Sequence, residues 1–546
     1  MSQGRKTLIR GVNWIGDAVM TMPAIRAAGG ATPCVNGGAT PCVNGGATPG
    51  VNGVFGSREG GLGDEITLLA NAWVLPLFER DPNVDARIAY PGSSVSDILR
   101  LAASLRREKF FTALMLPNSF GSAAVAFLAG ISDRIGYDRD TRGLMLTRRV
   151  PVTLDLLKRH QIHYYLNLIR AAGFDAPYRL PWLYLDLEER MEARKTLSAL
   201  KRPVIGINPG ASYGSAKRWP AQSFAEVIKG LILKRGAGIV IFGSQKEAPI
   251  AKEILKFLPP EIAGGGAVLN LSGKTTLRGL CGLISECDLL VTNDSGPMHV
   301  GYATGTPLVA IFGSTEPSLT GPPASRPQDE FAFPSVTLRG DVKCSPCFKR
   351  TCSIENTSNP GRPKCMEAVT PSEVLDAALK ILPGGRAVLF DRDGTLCVDA
   401  DYLNSFDNFE PYNGLDRLRA LKGMGYKLVG ISNQSGISRG RVDEGFVGEL
   451  HRVFIEKYGF DGFYHCRHLA GQHCACRKPS PGMLLRARAE HGIDLKKSFV
   501  VGDKNSDMAA ALAVGATPVF LNSGKDVLKI EGVRTIKTLD ELHGLL

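Results

Sequence analysis

The stretch Arg386-Ala-Val-Leu-Phe-Asp-Arg-Asp-Gly-Thr395 decides more about this chain than any other ten residues. Ala387–Phe390 is a short apolar run of the length and composition of a buried strand. Asp391 and Asp393 follow it, two acids one residue apart, so both face the crevice beyond the strand end. In an open α/β sheet that crevice is where ligands bind. Gly394 lets the backbone turn sharply there. A calcium loop would also begin with alternating acids, but the following residues do not continue them toward a Glu at position twelve.

Working outward, three further elements occur in the order a phosphate-handling site requires. Val429–Ser435 is a second strand ending in the hydroxyl of Ser432 and the amide of Asn433. Arg477-Lys478-Pro479 offers fixed cations, and Phe499–Asp507 is a third strand ending in acids, among them Asp503 and Asp507. Together these motifs resemble the haloacid-dehalogenase (HAD) phosphatase superfamily over about 150 residues. The resemblance implies a nucleophile, Asp391, that forms an aspartyl-phosphate. It implies a general acid and base, Asp393, and Mg²⁺ held by Asp391, the backbone carbonyl of Asp393 and Asp503. Ser432, Asn433, Arg477 and Lys478 would bind the phosphoryl oxygens. Asp507 has two readings, orienting Lys478 or the metal waters, and a helix N-terminal acid favoured by the dipole.

Cys466-Arg-His468 and Cys474-Ala-Cys476 supply three thiols and an imidazole, a closed tetrahedral Zn²⁺ set lying immediately before Arg477 and Lys478. Free thiols, or His465 or His473 in place of His468, are the alternatives. With the DRDGT and SNQSG motifs, this insert resembles the heptose 1,7-bisphosphate 7-phosphatases. Histidinol-phosphate phosphatases are close relatives. No large cap module fits between the motifs, which predicts a small, open site.

The first 385 residues alternate apolar strand-like runs (Thr7–Val12, Glu65–Leu69, Phe111–Leu116, Val204–Asn208, Gly238–Phe242, Leu289–Thr292, Leu308–Phe312) with helix-length stretches such as Ala18–Ala28, Ser223–Arg235 and Glu247–Leu258. That is the pattern of doubly wound parallel sheets. Three motifs stand at strand ends. Asn13-Trp-Ile-Gly-Asp17 places Asp17 at a helix N-terminus, where an N-cap is the plainer reading. Asn208-Pro-Gly-Ala-Ser212 leads to Lys217 before a helix, joining hydroxyl, cation and helix N-terminus as a phosphate receiver. Asn293-Asp294-Ser295-Gly296-Pro-Met-His299 repeats that arrangement.

These motifs resemble the ADP-heptose:lipopolysaccharide heptosyltransferases over most of residues 5–382. The resemblance implies two Rossmann-like domains facing across a cleft, the GT-B arrangement, and inverting, metal-independent transfer. It makes Asp17 the base that deprotonates the acceptor. Ser212, Lys217, Ser295 and Gly296 would hold the ADP diphosphate, Asp294 and His299 would contact donor sugar or phosphate, and Glu247 the ribose. A turn Asp, a core His and a surface Glu are the bland readings. The expected partners are ADP-heptose, a lipopolysaccharide inner-core acceptor at the cytoplasmic membrane face, and heptose bisphosphate. The expected divisions are 1–185 (acceptor side), 186–382 (donor side) and 386–546 (phosphatase). Phosphatase and transferase would then serve one pathway. The other combination is a transferase of another nucleotide sugar fused to a histidinol-phosphate-type or other sugar-phosphate phosphatase.

Composition agrees with this division. At 546 residues, 44% apolar and 22% charged, the chain is an ordinary globular one with room for three to four domains. No apolar run reaches the roughly 18 residues of a membrane span, and no basic–aromatic stripe suggests nucleic acid. A cytoplasmic setting is expected, with peripheral contact at the inner membrane. Of the +12 formal charge, +10 precedes Arg386 and +2 lies from Arg386 onward, so the transferase part is suited to anionic partners. Gly29–Asn52 is three copies of an octamer (GGATPCVN, GGATPCVN, GGATPGVN). With almost no large apolar residues it reads as a disordered insert extending through Gly63, which gives Cys34 and Cys42 no role. Cys344, Cys347, Cys352 and Cys365 form a second candidate metal set, with free thiols the equal alternative. Cys281 and Cys287 read as core.

Overall fold

The computed structural model describes residues 6–30, 65–92, 94–352, 363–522, 524 and 526–546. The described residues form three six-stranded parallel sheets. The first contains β1 (Lys6–Arg10), β2 (Glu65–Asn71), β3 (Ala86–Tyr90), β4 (Thr112–Met115), β5 (Asp133–Tyr137) and β6 (Arg148–Val150). The second contains β7 (Val204–Asn208), β8 (Gly238–Ile241), β9 (Val268–Asn270), β10 (Leu289–Asn293), β11 (Leu308–Phe312) and β12 (Ser335–Arg339). The third contains β13 (Arg386–Phe390), β14 (Tyr426–Asn433), β15 (Gly462–Cys466), β16 (Phe499–Gly502), β17 (Thr517–Leu521) and β18 (Arg534–Ile536).

Each sheet has the same order, third-second-first-fourth-fifth-sixth strand. The chain therefore reverses its winding between the first and fourth strands, and the crevice at that switch point is the expected ligand site. All three crevices carry the residues singled out above. β1 leads to Asp17; β7 and β10 lead to Ser212 and Ser295; β13 and β16 lead to Asp391 and Asp503. The central strands are buried on both faces, as in Val204–Asn208 and Leu308–Phe312, because helices cover both sides of a parallel sheet.

The bridging segment Tyr184–Leu200 contains a helix, Leu187–Leu197. Asp186 and Glu189 close its N-terminus reciprocally, each side chain accepting from the other's backbone N–H. Helix Ile15–Gly30 runs two residues into the octamer repeat. Gly29 is buried, so packing carries the helix through a residue that by propensity would end it. Gly29 and Gly30 are thus helical; the rest of the expected insert, with Cys34 and Cys42, lies outside the described residues. One apolar core runs through all three sheets, joining Ile9 and Met22 to Tyr302 and Phe331 and on to Leu389 and Leu485. No described helix is long and apolar enough to cross a membrane.

Candidate active sites

The first site lies where helix Ile15–Gly30 meets helix Gly296–Ala303. Their approach depends on Gly16: a Cβ there would stand 2.7 Å from Cδ2 and 2.8 Å from Nε2 of His299. Gly296 likewise packs its open face on Ile15. Asp17 sits in the first turn of its helix. Its carboxyl is pushed up to about 6 by burial, with Lys217 lowering it and Asp294 raising it. A carboxylate in that range is a competent general base near neutral pH.

Opposite it, Lys217 is paired with Asp294 at 2.5 Å, and Asp294 also accepts from Thr315 at 2.5 Å. Lys217 lies over the ring of Tyr213 at 4.6 Å. Asn208 donates to Ser295 Oγ at 2.8 Å, which fixes the hydroxyl at the opening of helix Gly296–Ala303. His299 is buried, its Nδ1 lies 2.8 Å from the Tyr302 hydroxyl, and burial lowers it to about 4, so it is neutral at physiological pH. Glu247 stands under the Asn208–Ser212 turn, where a Cβ on Gly210 would meet its carboxylate. Its Oε2 accepts from the N–H and hydroxyl of Ser244. Ser212 is exposed at the tip of that turn. The sequence motifs did not point to Tyr213 or Thr315, which lie within and beyond them.

The second site is built at the ends of β13, β14 and β16. Lys478 Nζ lies 2.8 Å from Asp391 Oδ1 and 2.6 Å from Asp507 Oδ1, all three buried. Asp507 fills both of its sequence roles, because its Oδ2 also accepts from the backbone N–H of Lys504 at the start of helix Asn505–Val514. Asp393 is held apart. Arg392 grips it with Nε at 2.8 Å and Nη2 at 3.0 Å, and Gln434 donates to it at 2.6 Å. Ser432 touches the same oxygen at 3.4 Å. Asn433 exchanges hydrogen bonds with the backbone of Lys478, donating at 3.2 Å and accepting at 3.1 Å. Arg477 Nη1 donates to the carbonyl of His468. Arg392 and Gln434 were not anticipated, although both flank motif residues.

One oxygen from each of Asp391, Asp503 and Asp507 lies within 4.8 Å of the others. Asp503 Oδ1 is buried without a donor, and burial raises its carboxyl to about 6. A crowded, under-donated carboxylate group of this kind fits a divalent cation with hard oxygen ligands. The Asp393 carboxylate is turned toward Arg392 and Gln434, which leaves only its carbonyl for that role, and Asp507 joins the group.

Cys466, His468, Cys474 and Cys476 also converge within 4.8 Å. Cys466 Sγ is 3.6 Å from Cys474 Sγ and 3.5 Å from His468 Nδ1, and Cys476 Sγ is 3.2 Å from that nitrogen. A tetrahedron with arms of about 2.3 Å has edges of about 3.8 Å, so the donor set fits Zn²⁺. Cys344, Cys347 and Cys352 lie near enough to Cys365 to help burial raise its thiol to about 11. These four are not among the tight groups formed by the described residues. Cys281 and Cys287 are fully buried in the core.

Two facing parallel sheets, with the Asp17 carboxyl across from the Lys217–Asp294 pair, have the arrangement of a GT-B glycosyltransferase, and the third sheet with its Asp391 crevice has that of a HAD-type phosphatase. Comparison with known proteins agrees. The sequence profile of glycosyltransferase family 9 (heptosyltransferase) matches residues 98–358, and a HAD-hydrolase-like profile matches 475–539. Lipopolysaccharide heptosyltransferase 2 of Salmonella typhimurium is 38% identical over 272 residues, 47% of this chain and 76% of that protein. The D-glycero-beta-D-manno-heptose-1,7-bisphosphate 7-phosphatase of Helicobacter pylori is 42% identical over 134 residues, 23% of this chain and 77% of that protein. The solved ADP-heptose heptosyltransferase II of E. coli superposes with a TM-score of 0.54 at 28% identity, covering 69% of this chain and 98% of that one. The chain belongs to the heptosyltransferase 2 family of glycosyltransferase family 9, fused to a member of the heptose-bisphosphate 7-phosphatase family.

Proposed function

We propose that the first site transfers heptose from ADP-L-glycero-D-manno-heptose to a lipopolysaccharide inner-core acceptor with inversion. Asp17 removes the proton of the acceptor hydroxyl, that oxygen forms the new bond to the anomeric carbon, and the bond to ADP breaks. Lys217, Ser212, Ser295 and the free N–H groups beside Gly296 receive the diphosphate as negative charge develops on it. Asp294 holds Lys217 in place, His299 lines the sugar side, and Glu247 faces the ribose. The carrying observation is the raised Asp17 carboxyl directly across from the Lys217–Asp294 pair.

The second site hydrolyses D-glycero-D-manno-heptose 1,7-bisphosphate to the 1-phosphate. Asp391 bonds to the phosphorus of the 7-phosphate while the ester bond breaks, and Asp393 protonates the departing sugar oxygen. Asp393 then takes a proton from the water that cleaves the aspartyl-phosphate. Lys478 and Ser432 neutralise the transferring oxygens, and Asn433 fixes the backbone of Lys478. Mg²⁺ held by Asp391, Asp503 and the Asp393 carbonyl would supply further charge neutralisation. Zn²⁺ on the Cys466–Cys476 loop would be structural.

The divisions proposed are 1–185, 186–382 and 386–546. A cytoplasmic location with contact at the inner-membrane face is supported by the +10 charge of the transferase part. Exposed Leu144 and Leu154, which neighbour Arg148, Arg149 and Arg159 in the sequence, support it too. The test offers the purified chain ADP-heptose with a heptosylated inner-core acceptor, and separately heptose bisphosphate with Mg²⁺. Asp17→Ala must abolish only the first reaction and Asp391→Ala only the second. Retention of either matched activity refutes that assignment.

A further inference from the structure

The two enzymes are not simply tethered; they share a carboxylate that is only about a tenth exposed. Glu330 belongs to the transferase, in the loop between β11 and β12, yet it sits against the phosphatase's Cys466–Cys476 loop. Arg26 approaches it in fork geometry, Nη1 to Oε2 at 2.8 Å and Nη2 to Oε1 at 2.9 Å. Arg179 donates to the same carboxylate. On the other side the backbone N–H of Ala475, between two candidate metal ligands, donates to Oε2 at 2.7 Å.

The orientation of His468 completes the picture. Its Nδ1 faces the thiols of Cys466 and Cys476, while its Nε2 faces Glu330 Oε1 at 3.7 Å. An imidazole that turns one nitrogen to the ligand group and the other to a carboxylate has the arrangement of a metal-bound histidine with its outer partner. Such a partner fixes the tautomer and raises ligand basicity. Here the carboxylate comes from the other enzyme. Nearby contacts hold the same loop: Arg26 Nη2 donates to the carbonyl of Gln472 at 3.2 Å, and the Tyr184 hydroxyl donates to that of His473 at 2.6 Å.

We propose that Glu330 is the outer-shell partner of a metal ion on the Cys466/His468/Cys474/Cys476 loop, making this loop a metal-dependent joint between transferase and phosphatase. The proposal rests on the Zn²⁺ reading of those four donors. It gives the transferase a positioning role in the phosphatase, because the loop runs directly into Lys478. It also connects the joint to the other site, since Arg26 lies on the same helix as Asp17.

The experiment uses the full chain. Wild type is assayed for bound zinc, then challenged with excess chromogenic chelator while zinc release is timed. Glu330→Gln removes the charge. Because it leaves Arg26 facing a neutral partner, the double variant Arg26→Gln/Glu330→Gln is measured beside it. The control is Lys496→Met, which removes a separate contact across the joint, to Asp288 at 2.7 Å and the Glu286 carbonyl at 2.8 Å. Both Glu330 variants are expected to release zinc at least about tenfold faster, the scale of outer-shell losses, and Lys496→Met at the wild-type rate. Cobalt-loaded Glu330→Gln should shift its visible absorption, and cobalt-loaded Lys496→Met should not. Release within twofold of wild type in both Glu330 variants, or equal acceleration in Lys496→Met, overturns the proposal while leaving the zinc reading intact. Wild type without bound metal overturns both.

Discussion

Asp391 Oδ1 and the ammonium of Lys478 lie 2.8 Å apart, both side chains buried. Burial raises the Asp391 carboxyl and Lys478 pulls it down, while Asp507 and Asp393 push it further up. Lys478 is therefore the cation that holds the Asp391 carboxylate against burial and two neighbouring acids. The position of Lys478 is set twice over, by Asp507 on its ammonium and by Asn433 on its backbone.

Replacing Lys478 with Met should lower phosphatase kcat/KM by about 10²-fold or more, the usual cost of losing a preorganised cation at a transferring group. It removes the partner of two buried acids, so the melting temperature should fall too. Transferase turnover, measured on the same preparation, should stay within twofold of wild type.

Asp17 should control the acid limb of transfer. Its carboxyl is raised to about 6 by burial, and the base must be ionised to act. The kcat/KM for transfer should therefore fall tenfold per pH unit below about 6 and level off above it. A midpoint near 4 would show that Asp17 titrates as an ordinary surface acid.

The same shift predicts a stability change of opposite sign. A carboxyl raised on folding costs stability as pH climbs from its unfolded value near 4 through about 6, because the folded state resists losing that proton. Asp17→Asn removes the cost. At pH 7–8 the variant should be more stable by about 1–3 kcal/mol in denaturant titration, and inactive in transfer. At pH 3 the two proteins should unfold alike.

Much of this was legible in the sequence because the decisive residues sit at strand ends. Asp391, Asp503, Ser295 and Asp17 each follow an apolar run that could only be a buried strand. The edge strands were not legible. Ala86–Tyr90 and Arg148–Val150 are short and partly exposed, the first interrupted by one Arg and the second opening on two, so they lack the continuous apolar signal of the centre. Partner choice was hidden as well. Nothing local announces that Lys217 pairs with Asp294 rather than waiting free for a phosphate. The Arg26–Glu330 fork joins residues 304 positions apart, and only the packing of three sheets brings them together.

Gly394 provides the sharpest test of the phosphatase geometry. Its φ of +85° lies in the left-handed region, and a Cβ would stand 2.2 Å from Asp503 Oδ2. Alanine there is strained by conformation and displaces a carboxylate of the candidate cation group. Gly394→Ala should cost about 1–3 kcal/mol of stability and lower phosphatase kcat/KM by at least about 10²-fold, on the scale expected when reacting groups are misplaced by an ångström. Raising Mg²⁺ should recover part of the loss, because a displaced Asp503 weakens binding before it removes the nucleophile. Gly440, with a φ of +66° and nothing within 4 Å of its Cβ position, serves as the conformational control. Gly440→Ala should bear the backbone strain alone and keep wild-type Mg²⁺ dependence. Matching Mg²⁺ curves for the two variants would show that strain, rather than the Gly394–Asp503 contact, explains the loss.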